Sequence, residues 1–310
     1  MPKYSIVIPI FNEEPVIPEF YSRIKKVMNS CGDDYELIFI NDGSTDTSRD
    51  LIKELNKKDN SIKLLDFSRN FGHQIAISAG LDFADGDAVV IIDADLQDPP
   101  EVILKMIQKW KEGYEIVYGR RLKRKGETFF KEITAYIFYR LLKALTNHDI
   151  PLDSGDFRLI DKKVCNTMRN LTEKSRYMRG LISWVGFKQT YVEYVRDERY
   201  AGETKYPLKK MIKFAMDAIT SFSYKPLRIA TCIGFTLSLV SFTYLVIVIY
   251  QKLFTNTTII GWASVTAVNL FFNGIVLIIL GIIGEYIGRI YEETKNRPLY
   301  ILRDKIGFKS

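Results

Sequence analysis

Ala88-Val89-Val90-Ile91-Ile92-Asp93-Ala94-Asp95-Leu96-Gln97-Asp98-Pro99-Pro100 runs from an unbroken apolar segment straight into paired carboxylates. A strand this apolar is buried on both faces, as the strands of parallel sheets are. Carboxylates at its C-terminal end emerge where open α/β sheets bind ligands. Like charges this close repel unless a cation stands between them. Asp95 and Gln97 offer oxygens two residues apart, which suits a hard divalent ion that keeps part of its shell for substrate phosphates. Pro99 and Pro100 stop the strand and start a helix. A DxD by itself equally fits a solvated acidic loop, so the assignment depends on the motifs around it.

Working outward, strand-like runs at 4–10, 35–40, 62–66, 88–92 and 115–118 alternate with helical patterns at 15–29, 47–57, 73–83 and 100–111. That βαβα order predicts a mostly parallel sheet with helices on both faces. Four loops then share one rim: the segment after Pro9 with Asn12, Glu13 and Glu14; Asn41-Asp42-Gly43-Ser44-Thr45-Asp46; Ser68-Arg69-Asn70-Phe71-Gly72; and the DxD. Each has a plainer reading. Asn41 to Ser44 is a good turn and cap sequence. Asn12-Glu13-Glu14 favours a helix N-terminus, and Arg69 could be an ordinary surface cation. Asp42 ends a buried strand, where its carboxylate could accept from a nucleobase or ribose. Arg69 could pair with a diphosphate. No GxGxxG and no GxxxxGK[ST] is present.

The 310 residues are 26% charged and 47% apolar, but charge is unevenly distributed. Residues 227–250 contain only Arg228, and 259–283 contain no charge. Each reaches the roughly 20 residues that a bilayer-spanning helix needs. Lys252 is the one basic residue in the connecting loop 251–258, whereas Arg289, Lys295, Arg297, Arg303, Lys305 and Lys309 follow the second stretch. The positive-inside bias therefore predicts both termini and the N-terminal domain in the cytoplasm. No signal peptide is expected before Tyr4. Basic residues Arg120, Arg121, Lys123, Arg124 and Lys125 precede an amphipathic pattern at 127–146. Another, at 207–226, sets Leu208, Met211, Ile212, Ala215, Ile219 and Phe222 opposite Lys209, Lys210 and Lys213. Apolar stripe plus lysines fits a helix lying in a membrane interface, or one packed on the sheet. Cys31, Cys165 and Cys232 form no CxxC, and His73 and His148 are the only histidines, so zinc and disulfide frameworks are not indicated. The net charge of +7 fits an anionic lipid surface, and no nucleic-acid motif is visible.

With these motifs the chain resembles the inverting family-2 glycosyltransferases of GT-A fold. Within them it is similar to polyprenyl-phosphate glycosyltransferases, both dolichol-phosphate mannosyltransferase and undecaprenyl-phosphate glucosyltransferases of the GtrB type. The likeness rests on Ser5-Ile6-Val7-Ile8-Pro9, the four loops, Asp95-Leu96-Gln97-Asp98-Pro99-Pro100-Glu101, Ser154-Gly155-Asp156-Phe157-Arg158, Arg199-Tyr200-Ala201-Gly202-Glu203-Thr204-Lys205-Tyr206-Pro207 and the two-span tail. It implies a GT-A domain over 1–206, an interfacial helix at 207–226, two transmembrane helices within 227–284 and a basic cytoplasmic tail at 285–310. Pro9, Asn12, Glu13, Asp42, Arg69 and Asp93 would bind the donor nucleotide, and Asp95 and Gln97 would hold Mg²⁺ or Mn²⁺. Asp156 would be the acceptor-side catalytic carboxylate beside Asp95. Arg120, Arg140, Arg199 and Lys205 would grip the acceptor phosphate. Asn41 stands where the family often has Asp.

The activity so implied is transfer of a hexose from a nucleotide sugar, UDP-glucose first, to undecaprenyl phosphate with inversion at the anomeric carbon. GDP-mannose, UDP-N-acetylglucosamine or an aminoarabinose nucleotide are alternative donors. A processive polysaccharide synthase would carry a QxxRW string, absent between Arg179 and Trp184. A non-catalytic nucleotide binder would ignore metal. Two spans give a domain this large little lipid-embedded surface, which is compatible with a homo-oligomer.

Overall fold

The computed structural model describes residues 3–122, 154–174, 176–196, 225–254 and 261–308. The expected helix at 127–146, nearly all of that at 207–226, and the candidate residues Arg140, Arg199 and Lys205 lie outside the described residues.

Alternation of strand and helix opens the chain as the apolar pattern requires. Strand β1 (Tyr4–Ile10) leads to α1 (Ile17–Ser30), β2 (Tyr35–Asn41) to α2 (Ser48–Lys58), and β3 (Ile62–Phe67) to α3 (His73–Phe83). Strand β4 (Ala88–Ile91) leads to α4 (Val102–Lys111), and β5 (Ile116–Arg121) follows. Beyond the undescribed segment come β6 (Ser154–Asp161), α5 (Lys162–Arg169), α6 (Met178–Trp184) and β7 (Gln189–Tyr194). Two long helices, α7 (Lys225–Phe254) and α8 (Trp262–Thr294), precede β8 (Leu302–Ile306).

The eight strands form one sheet in the order β7-β5-β6-β4-β1-β2-β3-β8. Pairs β1–β2, β1–β4, β2–β3 and β5–β7 are parallel, while β6 runs antiparallel between β4 and β5, and β8 antiparallel to β3. The fold is thus GT-A-like, a mixed and mostly parallel sheet between helical layers. Period-two alternation assigns the two cores. Ile6, Ile8, Ala88 and Val90 face Phe20, Ile24, Ile103 and Met106 of α1 and α4. Val7, Val89 and Ile91 face Ala76 and Ile77 of α3 and Val164 of α5. Gly80 lets α3 lie close to the sheet, since a Cβ there would clash with Val7.

Strand order reverses at β1: β2 and β3 are added on one side of it, β4 on the other. Such a switch point opens a crevice beyond the strands' C-terminal ends.

Helices α7 and α8 touch each other and contain two segments, Lys225–Tyr244 and Phe271–Thr294, long and apolar enough to cross a membrane. Phe235, Phe242, Leu277 and Ile278 stand exposed on them, an arrangement suited to lipid and not to water. The second helix continues beyond the expected end at 283 to Thr294, where Arg289 pairs with Glu285 at 3.1 Å one turn back. Within the expected basic tail over 285–310, residues up to Thr294 continue this helix and Leu302–Ile306 form β8, which returns to the sheet edge.

Candidate active site

Asp42, the last residue before the β2 turn, is buried, and its carboxylate accepts from the backbone N–H groups of Phe71 (2.7 Å) and Gly72 (3.0 Å). It thereby clasps loop 69–72 onto the β2 turn. Burial pushes its pKa above the usual carboxylate range, against the pull of those two N–H groups. Asn41 donates to buried Asp66 at 2.7 Å and accepts from Ser44 N at 3.2 Å, so the amide serves the turn better than a second carboxylate would. Asn12, at φ 55°, accepts from Thr45 N at 2.8 Å and ties the β1 loop to the same turn. The backbone N of Glu13 donates to Ser48 Oγ at 3.1 Å, and Pro9 lies buried in β1 beside Ile40. Exposed Arg69 lies over the Phe71 ring at 4.0 Å. The donor-side candidates are therefore together, although Asp42 is here occupied by the loop.

Gly43 is the pivot of this arrangement. It sits at φ +66°, and a Cβ would run into the backbone of Arg69 and Asn70. Gly43→Ala should displace loop 69–72, lower stability by about 1–3 kcal/mol and raise the donor KM by about tenfold or more. Donor titration and thermal unfolding of the variant check this.

On the opposite wall, Asp95 is 7% exposed and accepts from Gln97 N at 3.1 Å across Leu96, a leucine held at φ 58°. That left-handed geometry is unfavourable for leucine and is held by packing of its side chain into the core. Gln97 Oε1 accepts from Arg196 at 2.7 Å. Asp98, 1% exposed, accepts from Tyr194 at 2.5 Å and from Arg121 at 3.3 Å. Asp93 Oδ1 is buried and has no hydrogen-bond partner among the described residues. Burial raises the Asp93 pKa; His73 opposes the rise, and Asp95, Asp156 and Asp98 add to it.

Asp156 comes from β6 and reaches the same place. Arg179 of α6 binds it through two nitrogens, at 2.8 and 3.2 Å, and Gln74 donates to it at 3.1 Å. Although burial opposes it, Arg179 and His73 hold the Asp156 pKa well below the usual carboxylate range. A carboxylate so held is a weak base.

Arg120 faces outward, 3.7 Å from Glu193 and over the Tyr191 ring, whereas its neighbour Arg121 turns in to Asp98. Successive strand residues point to opposite faces, so Arg121 shares the face of Val117 and Gly119 toward Tyr194, and Arg120 that of Tyr118 toward Tyr191. Sequence reasoning also missed Arg179, Arg196, Tyr194 and His73, whose partners lie far away in the chain.

The family profile described as "Glycosyl transferase family 2" matches residues 5–169. Over 308 residues the chain is 61% identical to the uncharacterized glycosyltransferase YkcC of Bacillus subtilis (strain 168), covering 99% of this chain and 95% of that protein. The chain belongs to glycosyl transferase family 2. This glycosyltransferase is also 42% identical over 301 residues to the prophage bactoprenol glucosyl transferase homolog of Escherichia coli (strain K12), covering 97% of this chain and 98% of that one. Among solved structures it is similar to glucosyl-3-phosphoglycerate synthase from Mycobacterium tuberculosis, with TM-score 0.48, 18% identity and coverage of 71% of this chain and 76% of that one.

The residues fit a hard divalent cation in this glycosyltransferase. Asp93 Oδ1 is a buried acceptor without a hydrogen bond, next to the Asp95 carboxylate. The Gln97 carbonyl keeps a second lone pair beside its bond to Arg196. Among the described residues no three His, Cys, Asp or Glu side chains converge as a metal cage. A site with few protein ligands suits Mg²⁺, which binds through one or two carboxylates plus substrate phosphates.

Proposed function

We propose that this glycosyltransferase moves glucose from UDP-glucose to undecaprenyl phosphate, or a related polyprenyl phosphate, with inversion at the anomeric carbon. The observation that carries the reading is a GT-A-like crevice joined to two apolar helices, in a chain matched nearly end to end by proteins named bactoprenol glucosyl transferase. A prenyl tail stays in the bilayer, so the enzyme must bring its crevice there.

Asp42, Asn12, Glu13, Pro9, Arg69 and Asp93 bind the nucleotide side of the donor, and Arg121, Arg140, Arg199 and Lys205 supply positive charge toward the acceptor phosphate. Arg121 takes the place first given to Arg120 because of its inward orientation. Asp95 and Gln97 hold Mg²⁺ or Mn²⁺, which supplies Lewis-acid stabilisation of charge on the departing diphosphate. An oxygen of the lipid phosphate forms the new bond to the anomeric carbon as the bond to the nucleoside diphosphate breaks. A phosphomonoester has a second pKa near ~6, so this nucleophile needs no strong base at cytosolic pH. Asp156, held as an anion by Arg179, orients the acceptor and stabilises positive charge on the sugar.

Membrane topology follows the same logic. Strand β8 pairs with β3 in the catalytic sheet, so chain entering at α7 and leaving at α8 returns to its starting side. Positive charge after α8 makes that side cytoplasmic. Membranes carrying the full chain, given undecaprenyl phosphate, Mg²⁺ and radiolabelled UDP-glucose, GDP-mannose or UDP-N-acetylglucosamine, should put label into the lipid extract from UDP-glucose alone. Label from a different donor would overturn the sugar assignment, and an unlabelled lipid fraction the acceptor assignment.

A further inference from the structure

His73 opens α3 immediately after Gly72, and its Nε2 lies 3.5 Å from Asp93 Oδ1 and 3.3 Å from Asp156 Oδ2. The two carboxylates belong to different strands: Asp93 follows parallel β4, and Asp156 lies in antiparallel β6. No other described side chain stands within ion-pair distance of both. Local helix preference does not explain the residue, because a cation in the first turn opposes the helix dipole. One N–H cannot bond fully to two acceptors. The shorter contact goes to Asp156, and Asp93 Oδ1 is left with charge attraction but no hydrogen bond.

We propose that His73 is a positioning residue for glycosyl transfer: its imidazole, within 3.5 Å of both groups, tethers the acceptor-side carboxylate Asp156 to the donor-side carboxylate Asp93. The inference rests on the donor and acceptor roles proposed above for those two residues. The antiparallel β4–β6 pairing, with Ile91 opposite Arg158, brings Asp93 and Asp156 to the same end of one ladder, and the His73 side chain stands between two carboxylates that would otherwise repel each other. Arg179 and Gln74 fix Asp156 from behind, and among the described residues only His73 stands between it and Asp93 of the DxD. A misplacement of the reacting groups reduces turnover far more than ground-state binding. His73 therefore acts on kcat, with donor KM nearly unchanged.

The test uses the full-length enzyme with UDP-glucose and undecaprenyl phosphate. His73→Gln keeps a donor N–H but loses the charge, whereas His73→Lys keeps a cation of similar reach. His73→Gln should lower kcat by about tenfold or more while donor KM stays within about twofold, and His73→Lys should recover most of the loss. With Asp156→Asn already present, His73→Gln should cost little more, since the anion it holds is gone. Equal losses in the Gln and Lys variants, independent multiplication of the His73 and Asp156 losses, or wild-type turnover in His73→Gln would overturn the inference. Donor binding without acceptor and the melting temperature confirm that each variant is folded; should His73→Gln unfold, His73→Asn provides the neutral comparison. A wild-type enzyme that makes no lipid product refutes the proposed function instead, whereas wild-type transfer with indifferent His73 variants refutes the tether alone.

Discussion

Asp95→Asn should slow glycosyl transfer by about 10³-fold at neutral pH, a loss of ~4 kcal/mol in transition-state stabilisation. Asparagine keeps the carbonyl oxygen that accepts from Gln97 N, so the turn through Leu96 survives. What disappears is the negative charge that would hold a divalent cation at the donor diphosphate. Donor binding should correspondingly lose its dependence on Mg²⁺ or Mn²⁺. Asp156→Asn should cost less, about 10- to 100-fold, because its partner Arg179 holds it as an anion too weakly basic to take a proton at neutral pH. Single-turnover rates of the two variants decide the matter. A larger loss at Asp156 would make that residue a base and remove the orienting role; an unchanged rate at Asp95 would remove the metal.

The parallel half of the sheet was legible because its strands follow simple rules. Ala88 to Ile92 is apolar without interruption, and both faces of β4 are indeed covered, by α1 and α4 on one side and α3 and α5 on the other. The crevice was legible for the same reason, since strand C-termini at a switch point collect their loops. Orientation within a strand was harder. Arg120 and Arg121 are chemically alike, and which of them faces Asp98 is set by the phase of β5 against β7, a partner more than sixty residues away in the chain. Arg179 and His73 escaped because their meaning lies in partners brought from β4 and β6. The charged rhythm of Leu302-Arg303-Asp304-Lys305-Ile306 did carry a signal: leucine, aspartate and isoleucine alternate with exposed cations, as in a short edge strand. Counting it only as positive charge concealed the strand.

Removing that strand is the second large effect expected. Deletion of 295–310 takes away Tyr300, which stacks on Phe67 at 5.2 Å and donates to Asp82 at 2.9 Å. Phe308, which packs edge-on against Phe83 at 5.4 Å, goes with it, as does Leu302. Asp304 no longer meets Lys53 at 3.1 Å, and β3 becomes the sheet edge. Three partly buried apolar side chains at about 1–1.5 kcal/mol each give a loss of about 4 kcal/mol. For a domain of this size that lowers the melting temperature by about 10 °C, and the bare edge of β3 invites association between copies. The damage should reach the donor site even where the sheet stays folded. Phe67 packs edge-on against Phe71 at 5.6 Å, and Ser68 N donates to Ile301 O at 3.0 Å, directly before the loop that Asp42 clasps. Thermal unfolding of the truncated and full-length proteins in the same detergent measures the first effect, and donor titration well below the transition measures the second. An unchanged melting temperature would make β8 a passenger on the sheet. A lowered one with unaltered donor affinity would confine it to stability and sever the link from α8 to the loop 69–72.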